Sequence, residues 1–190
     1  MKPIILASAS PRRRELLALA GYEFQVQASD VEETVTKTLP SEIVQELSQQ
    51  KAAAVAALQS KDCLVIGSDT LVAFENEVMG KPTDREDAIH TITKLSGNTH
   101  QVYSGVTILE ISNGTISRSR TFAECTNVHV VPMEPDEIAS YVDCGECKDK
   151  AGAYGIQGKF GVYISGIDGD YYNVVGLPIS RLHKELKFFL

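Results

Sequence analysis

Short apolar runs and helically spaced apolar stripes alternate along this chain, and the alternation predicts its elements. Residues 3–8 and 24–31 read as strands on either side of a leucine-rich helix that starts at Pro11 and closes at Gly21. Ser41 is placed to cap a second helix, with Ile43, Leu47, Lys51, Ala54, Val55 and Leu58 at helical spacing. Cys63 to Ile66 form a fully apolar strand ending in Gly67-Ser68-Asp69-Thr70; the chain then resumes as a strand through Phe74 and turns near Asn76. Asp84 caps a helix carrying Ala88, Ile89, Ile92 and Leu95, which stops at Gly97. Residues 100–111 and 116–131 read as two long strands joined at Asn113-Gly114, a strong hairpin signal. Pro135 opens a short helix to about Val142. A strand at 160–167, a turn at Asp168-Gly169-Asp170 and a final helix from about Pro178 complete the chain.

This mixture predicts an α/β domain: a mixed sheet flanked by helices, with the long hairpin forming part of a lobe. The sequence contains no repeat, low-complexity tract or evident linker, so residues 1–190 are expected to form a single domain. With 43% hydrophobic and 23% charged residues, the chain falls among globular proteins rather than disordered ones. No apolar run is long enough to span a bilayer, and the start is too short for a signal-peptide core. A cytoplasmic protein with no membrane partner is therefore expected. The net charge of −7 argues against broad nucleic-acid binding, and it makes a local cluster of cations stand out.

That cluster is Arg12, Arg13 and Arg14, directly after Pro11 at a predicted helix start. Free N–H groups and the positive dipole end gather there, so three cations each cost roughly 0.3–1 kcal/mol unless an anion binds. A polyanionic ligand such as a phosphate chain relieves that cost. The alternative is that the arginines fan into solvent or meet distant acids.

Among the acids, Asp69 ends an apolar strand, a frequent way to present a catalytic carboxylate at a sheet edge. It is suited either to take a proton from water or to hold a divalent cation. Glu32 and Glu33 follow a predicted strand and read, taken alone, as a solvated strand end. Lys51 falls on the apolar stripe of its helix; it either snorkels outward or reaches over the helix edge into a site. The four histidines show no metal-ligand spacing, and there is no Gly-x-Ser-x-Gly elbow. Gly152, Gly155 and Gly158 match neither the Rossmann nor the Walker A pattern. Cys144 and Cys147 form a Cys-x-x-Cys pair with no second pair to complete a zinc site, and are expected to be exposed loop cysteines.

Several segments, in order, resemble the Maf family of nucleotide pyrophosphatases. They are Leu6-Ala7-Ser8-Ala9-Ser10-Pro11-Arg12-Arg13, Val31-Glu32-Glu33, Gln50-Lys51-Ala52, Gly67-Ser68-Asp69-Thr70, Gly80-Lys81-Pro82 and Leu95-Ser96-Gly97. The set continues with Asp149 through Gly158 (DKAGAYGIQG) and with Val175-Gly176-Leu177-Pro178. The resemblance implies the inosine-triphosphate-pyrophosphatase-like fold, with an active cleft between two lobes. It implies hydrolysis of a nucleoside triphosphate to the monophosphate and pyrophosphate, helped by a divalent metal such as Mg²⁺ or Mn²⁺. By the same likeness Asp69 stands at the proton acceptor's position, and Arg12, Thr70 and Gln157 match positions that bear on substrate choice; the metal is expected at Glu33 or Asp69, with Asp69 as base, metal ligand or both. Ser8, Glu33, Lys51 and Lys81 match polar cleft positions, and Arg12 and Arg13 with Lys51 and Lys81 are expected to bind the triphosphate.

The Pro11-Arg12-Arg13 and Ala153-to-Gly158 versions look like the dTTP/UTP group, with modified pyrimidine nucleotides as further substrates to test. The Gln157 amide offers a donor and an acceptor, which matches the N3–H and O4 edge of uracil or thymine. The expected partner is a small nucleotide, not a nucleic acid, and the resemblance admits a homodimer. A rival reading from another class is a nucleotide-sensing binding protein acting in cell division or septation.

Overall fold

The computed structural model describes residues 2–189. Its centre is a seven-stranded mixed sheet: β1 (Ile4–Ala7), β2 (Phe24–Val26), β3 (Cys63–Phe74), β4 (Glu77–Met79), β5 (Thr99–Ser112), β6 (Thr115–Val130) and β7 (Ile164–Asp168). The spatial order is β2-β1-β3-β5-β6-β7, with β4 also paired to β3. β1 is parallel to both β2 and β3, and every other pairing is antiparallel. All four residues of β1 and the first six of β3 are buried, as expected for strands covered on both faces.

Helices α1 (Pro11–Leu19), α2 (Pro40–Ala56), α3 (Arg85–Leu95), α4 (Pro135–Asp143), α5 (Tyr171–Val175) and α6 (Ile179–Leu186) cover the sheet. Leu16 and Leu17 of α1 and Leu182 and Leu186 of α6 pack with Ile4, Leu6, Leu64, Ile66 and Ile108 on one face. Ala52, Val55 and Ala56 of α2 pack with Ile5, Val65 and Leu109 in a second cluster. A third core, built on Ile92 and Leu95 of α3 and Ile138, Tyr141 and Val142 of α4, gathers around Val72, Val102, Val128 and Phe160. Two lobes therefore share the long strands β3, β5 and β6.

Most predicted elements are present, and the differences have physical reasons. The expected strand at 24–31 stops at Val26: its sole neighbour, β1, is four residues long, and the last pairing bond runs from Gln27 N–H to Leu6 O at 3.0 Å. Ser41 does not cap α2. Pro40 occupies the first turn, and Leu39 stands at the cap without a side-chain bond. The expected strand at 160–167 begins as a 3₁₀ turn (Lys159–Tyr163) before β7. The short α5, capped by Asp170, has no counterpart among the predicted elements. The β5–β6 hairpin turns where expected, with Asn113 (φ 52°) and Gly114 (φ 74°) both in the left-handed region that a two-residue turn requires.

Candidate active site

Asp69 lies in the middle of β3, not at a strand end as the sequence suggested. One edge of β3 is paired with β5 from Cys63 to Ala73. The other edge is shared: β1 takes Leu64–Gly67, and β4 takes Val72–Phe74. Ser68 through Leu71 fall in the gap between them, so the opening that a strand end would provide arises here from the early end of β1. Consecutive residues of a strand face opposite sides. Asp69 accordingly meets α2, while Thr70 meets the segment that follows α5.

The meeting with α2 depends on two glycines that let the helix lie directly on the sheet. A Cβ on Gly105 would stand 2.1 Å from Val44 O, and one on Gly67 would stand 2.4 Å from Ser48 O. Ser48 Oγ fixes the contact through Thr107 Oγ1 at 2.8 Å. Lys51, on the next turn, then reaches Asp69 instead of snorkelling outward: its ammonium hydrogen-bonds Asp69 Oδ1, and its side chain is 16% exposed. The same ammonium lies 3.0 Å from Glu33 Oε1. Glu33 belongs to a segment without regular structure that α2 holds by side-chain bonds. Thr34 N–H donates to Gln50 Oε1 at 3.0 Å, Gln50 Nε2 donates to Thr34 O at 2.6 Å, and Thr36 N–H donates to Glu46 Oε2 at 2.9 Å.

From the other side, Ser10 caps α1 by accepting from Arg13 N–H. The Arg13 guanidinium is spread over fixed partners: Nε donates to Gly176 O at 3.0 Å, Nη1 to Ser8 Oγ at 3.1 Å and Nη2 to Thr70 Oγ1 at 3.0 Å. Burial pulls its pKa below the ordinary arginine value; Asp69 opposes that, and Arg12 adds to it. An arginine stays charged regardless. Arg13 is thus both a cation facing the cleft and the strut that joins α1, β3 and the turn after α5.

Arg12, Arg13, Lys51, Asp69, Thr70, Lys81 and Gln157 line a single cleft of about 310 Å³. Ser8 sits behind Arg13, and Glu33 stands beside the cleft on Lys51; neither lines it. Arg14 is exposed and lies outside it, so the helix-start reading applies to two of the three arginines. Val72, Val102, Ile156 and Val174 supply apolar lining to the same cleft. The turn carrying Lys81 and the loop carrying Gln157 are tied by Gly152 N–H donating to Gly80 O at 3.0 Å. Ala153 follows with a φ of 59°, unusual for a residue with a Cβ and typical of functional loops.

Ser10, Asp149, Lys150 and Tyr154 also line the cleft and were not singled out from the sequence, although the latter three fall within the DKAGAYGIQG run. Nothing in their spacing distinguishes them. The expectation of exposed loop cysteines at 144 and 147 is corrected. Cys147 is 2% exposed in the α3–α4 core with Sγ 3.7 Å from Val142 O, Cys144 is half-buried, and both are free thiols.

A hard cation seeks carboxylate oxygens, and the Lys51 ammonium marks the point on which Glu33 and Asp69 converge. Among the described residues no group of three or more His, Cys, Asp or Glu side chains is arranged to hold a metal. Two protein carboxylates fit a magnesium-type site whose remaining ligands are substrate oxygens and water.

Fold and cleft together define a mixed α/β protein with a cleft lined by several cations around Asp69. Residues 3–189 match the Maf-like protein model, and the chain belongs to the Maf family. It is 48% identical over 199 residues to a dTTP/UTP pyrophosphatase of Agathobacter rectalis, covering 98% of this chain and 97% of that one. It is 49% identical over 190 residues to a dTTP/UTP pyrophosphatase of Bacillus anthracis, covering 100% of this chain and 96% of the relative. A solved HAM1 protein from Coxiella burnetii superposes with a TM-score of 0.54 at 14% identity, over 99% of this chain and 100% of that one, a likeness of fold. No helix among the described residues is long and apolar enough to cross a membrane.

Proposed function

We propose that this chain is a nucleoside triphosphate pyrophosphatase acting on dTTP and UTP in the cytoplasmic nucleotide pool, working as one domain. The observation that carries the reading is that Arg12, Arg13, Lys51 and Lys81 line one cleft together with Asp69. The activity that the names of the full-length relatives print supports it.

Arg12 and Lys81 bind the triphosphate oxygens, with Arg13 facing the same space. Thr70 keeps Arg13 in orientation, and Ser8 supports it from behind. Asp69 takes a proton from water as the water oxygen bonds to the α-phosphorus. The bond between that phosphorus and its bridging oxygen breaks, and pyrophosphate leaves with the electron pair. Phosphoryl transfer is driven by positioning and charge neutralisation, which the cations supply in the cleft. Glu33 and Asp69 would hold a divalent cation such as Mg²⁺ or Mn²⁺, whose chemistry there is neutralisation of phosphate charge. Gln157 reads the base with its amide.

The test is release of pyrophosphate from a panel of canonical and modified triphosphates, with Mg²⁺ or Mn²⁺ present and Asp69→Asn as control. Fastest release from dTTP and UTP, abolished in a folded Asp69→Asn variant, is the expected result. Nucleotide binding without release would point instead to a sensor.

A further inference from the structure

Lys51 is the least expected side chain in the cleft: a cation on the apolar stripe of a helix, set between two carboxylates drawn from distant parts of the chain. We propose that the Lys51 ammonium is an exchangeable counter-ion, which holds Glu33 and Asp69 together in the nucleotide-free protein and leaves them when triphosphate and a divalent cation arrive. This rests on the metal-assisted reading of the cleft given above.

The ammonium lies 3.0 Å from Glu33 Oε1 and hydrogen-bonds Asp69 Oδ1, so it occupies the place where the two acids meet. An ammonium and a divalent cation compete for the same oxygens, and like charges at contact distance repel. Arg12 and Arg13 line the same cleft and raise the positive potential that an incoming cation meets. Metal alone therefore meets a site that is already neutralised.

A triphosphate changes the balance because it brings anionic oxygens to which the ammonium can turn. Lysine is suited to that exchange. Its charge is compact and rides on a flexible four-carbon stem, so the swing leaves α2 in place. The device makes metal occupancy conditional on nucleotide: Asp69 is held in place by the ammonium in the resting protein, and it is freed once there is substrate to act on.

The test uses Mn²⁺ alone, titrated by calorimetry into the full chain and into Lys51→Met, with no nucleotide. Removing the ammonium while keeping most of the stem should tighten Mn²⁺ binding at least tenfold. A folded variant that binds Mn²⁺ no more tightly than the parent overturns the proposal. A second readout needs no variant to be stable: the Lys51 ammonium resonance in ¹H–¹⁵N spectra of the wild-type chain. It should leave its ion-paired position when a non-hydrolysable dTTP analogue and Mg²⁺ bind. An unmoved Lys51 resonance with the analogue demonstrably bound also overturns it. Pyrophosphate release by the wild-type chain tests the activity independently, so the exchange can fail while the activity stands.

Discussion

Arg13 Nη2 donates to Thr70 Oγ1 at 3.0 Å, and the same hydroxyl lies 2.8 Å from Ser104 Oγ, which in turn donates to Asn173 O at 3.1 Å. One hydroxyl thus links α1, β3, β5 and α5 at the floor of the cleft. Thr70→Val keeps the shape and deletes the link, leaving a guanidinium N–H and a buried serine each short of a partner. Such losses cost about 1–3 kcal/mol. Urea unfolding should show a drop of that size, and KM for the triphosphate should rise as Arg13 loses its orientation. Thr70→Ser should recover most of both; if Thr70→Val matches the parent in stability and KM, the link has no role.

The two contact glycines make a sharper prediction. In Gly105→Ala the new methyl would meet the Val44 carbonyl at 2.1 Å, a backbone atom that cannot rotate away. Overpacking of this kind typically costs about 1–3 kcal/mol, and α2 must lift to relieve it. Lys51 would be carried off Asp69 with it, so turnover should fall more steeply than stability in the fraction that remains folded. A thermal scan and a pyrophosphate assay on the same preparation check this, and a variant with native Tm and rate would remove the close approach from the account.

Gln157 bears on base choice through chemistry more than affinity. Its amide can pair with the donor and acceptor edge of uracil or thymine, and the apolar lining offers nothing equivalent. Gln157→Ala should lower kcat/KM for UTP relative to CTP by about tenfold, roughly the worth of one such hydrogen-bonded edge. Competition between the two nucleotides in one reaction measures the ratio directly. An unchanged ratio would move base recognition to another part of the loop.

How much of this was legible in the sequence depended on whether a local pattern or a distant partner decided each element. The hairpin at Asn113-Gly114 and the helix start at Pro11 are set by neighbouring residues, and both stand as read. The strand at 24–31 is cut short by β1, a constraint that lies elsewhere in the chain. The chemistry at Asp69 was visible as an acid after an apolar run. Its true setting, a gap between two strands sharing one edge of β3, required the topology. Lys51 was flagged by its misfit on an apolar stripe, yet only the glycine contacts under α2 show why it reaches inward. Tyr154 and Lys150 gave no local signal, because their place in the cleft comes from how the loop is tied to Gly80.

His100 supplies a prediction about pH. It is fully buried; Nε2 lies 2.7 Å from Tyr154 Oη, and Nδ1 has no hydrogen-bond partner. Desolvation first, and the charge of His129 second, lower its pKa to about 4 from an ordinary 6.5. Between those values the unfolded chain takes up a proton that the native one refuses, so stability falls as pH drops from about 6.5 towards 4. Above that window His100 is neutral in both states and contributes no slope. The full shift corresponds to about 3 kcal/mol at the acid end, an upper figure for a single site. Glu110, held down to about 2 by Arg118 and Lys2, adds its own loss mainly as pH falls from around 4.5, where the unfolded carboxyl is half protonated, towards about 2. Urea unfolding at pH 5, 6, 7 and 8 should therefore show a decline in the parent that is largely absent in His100→Phe. The variant will be less stable throughout, since Tyr154 loses its partner, but the comparison is between slopes. Parallel curves for the two proteins would mean that His100 titrates alike folded and unfolded.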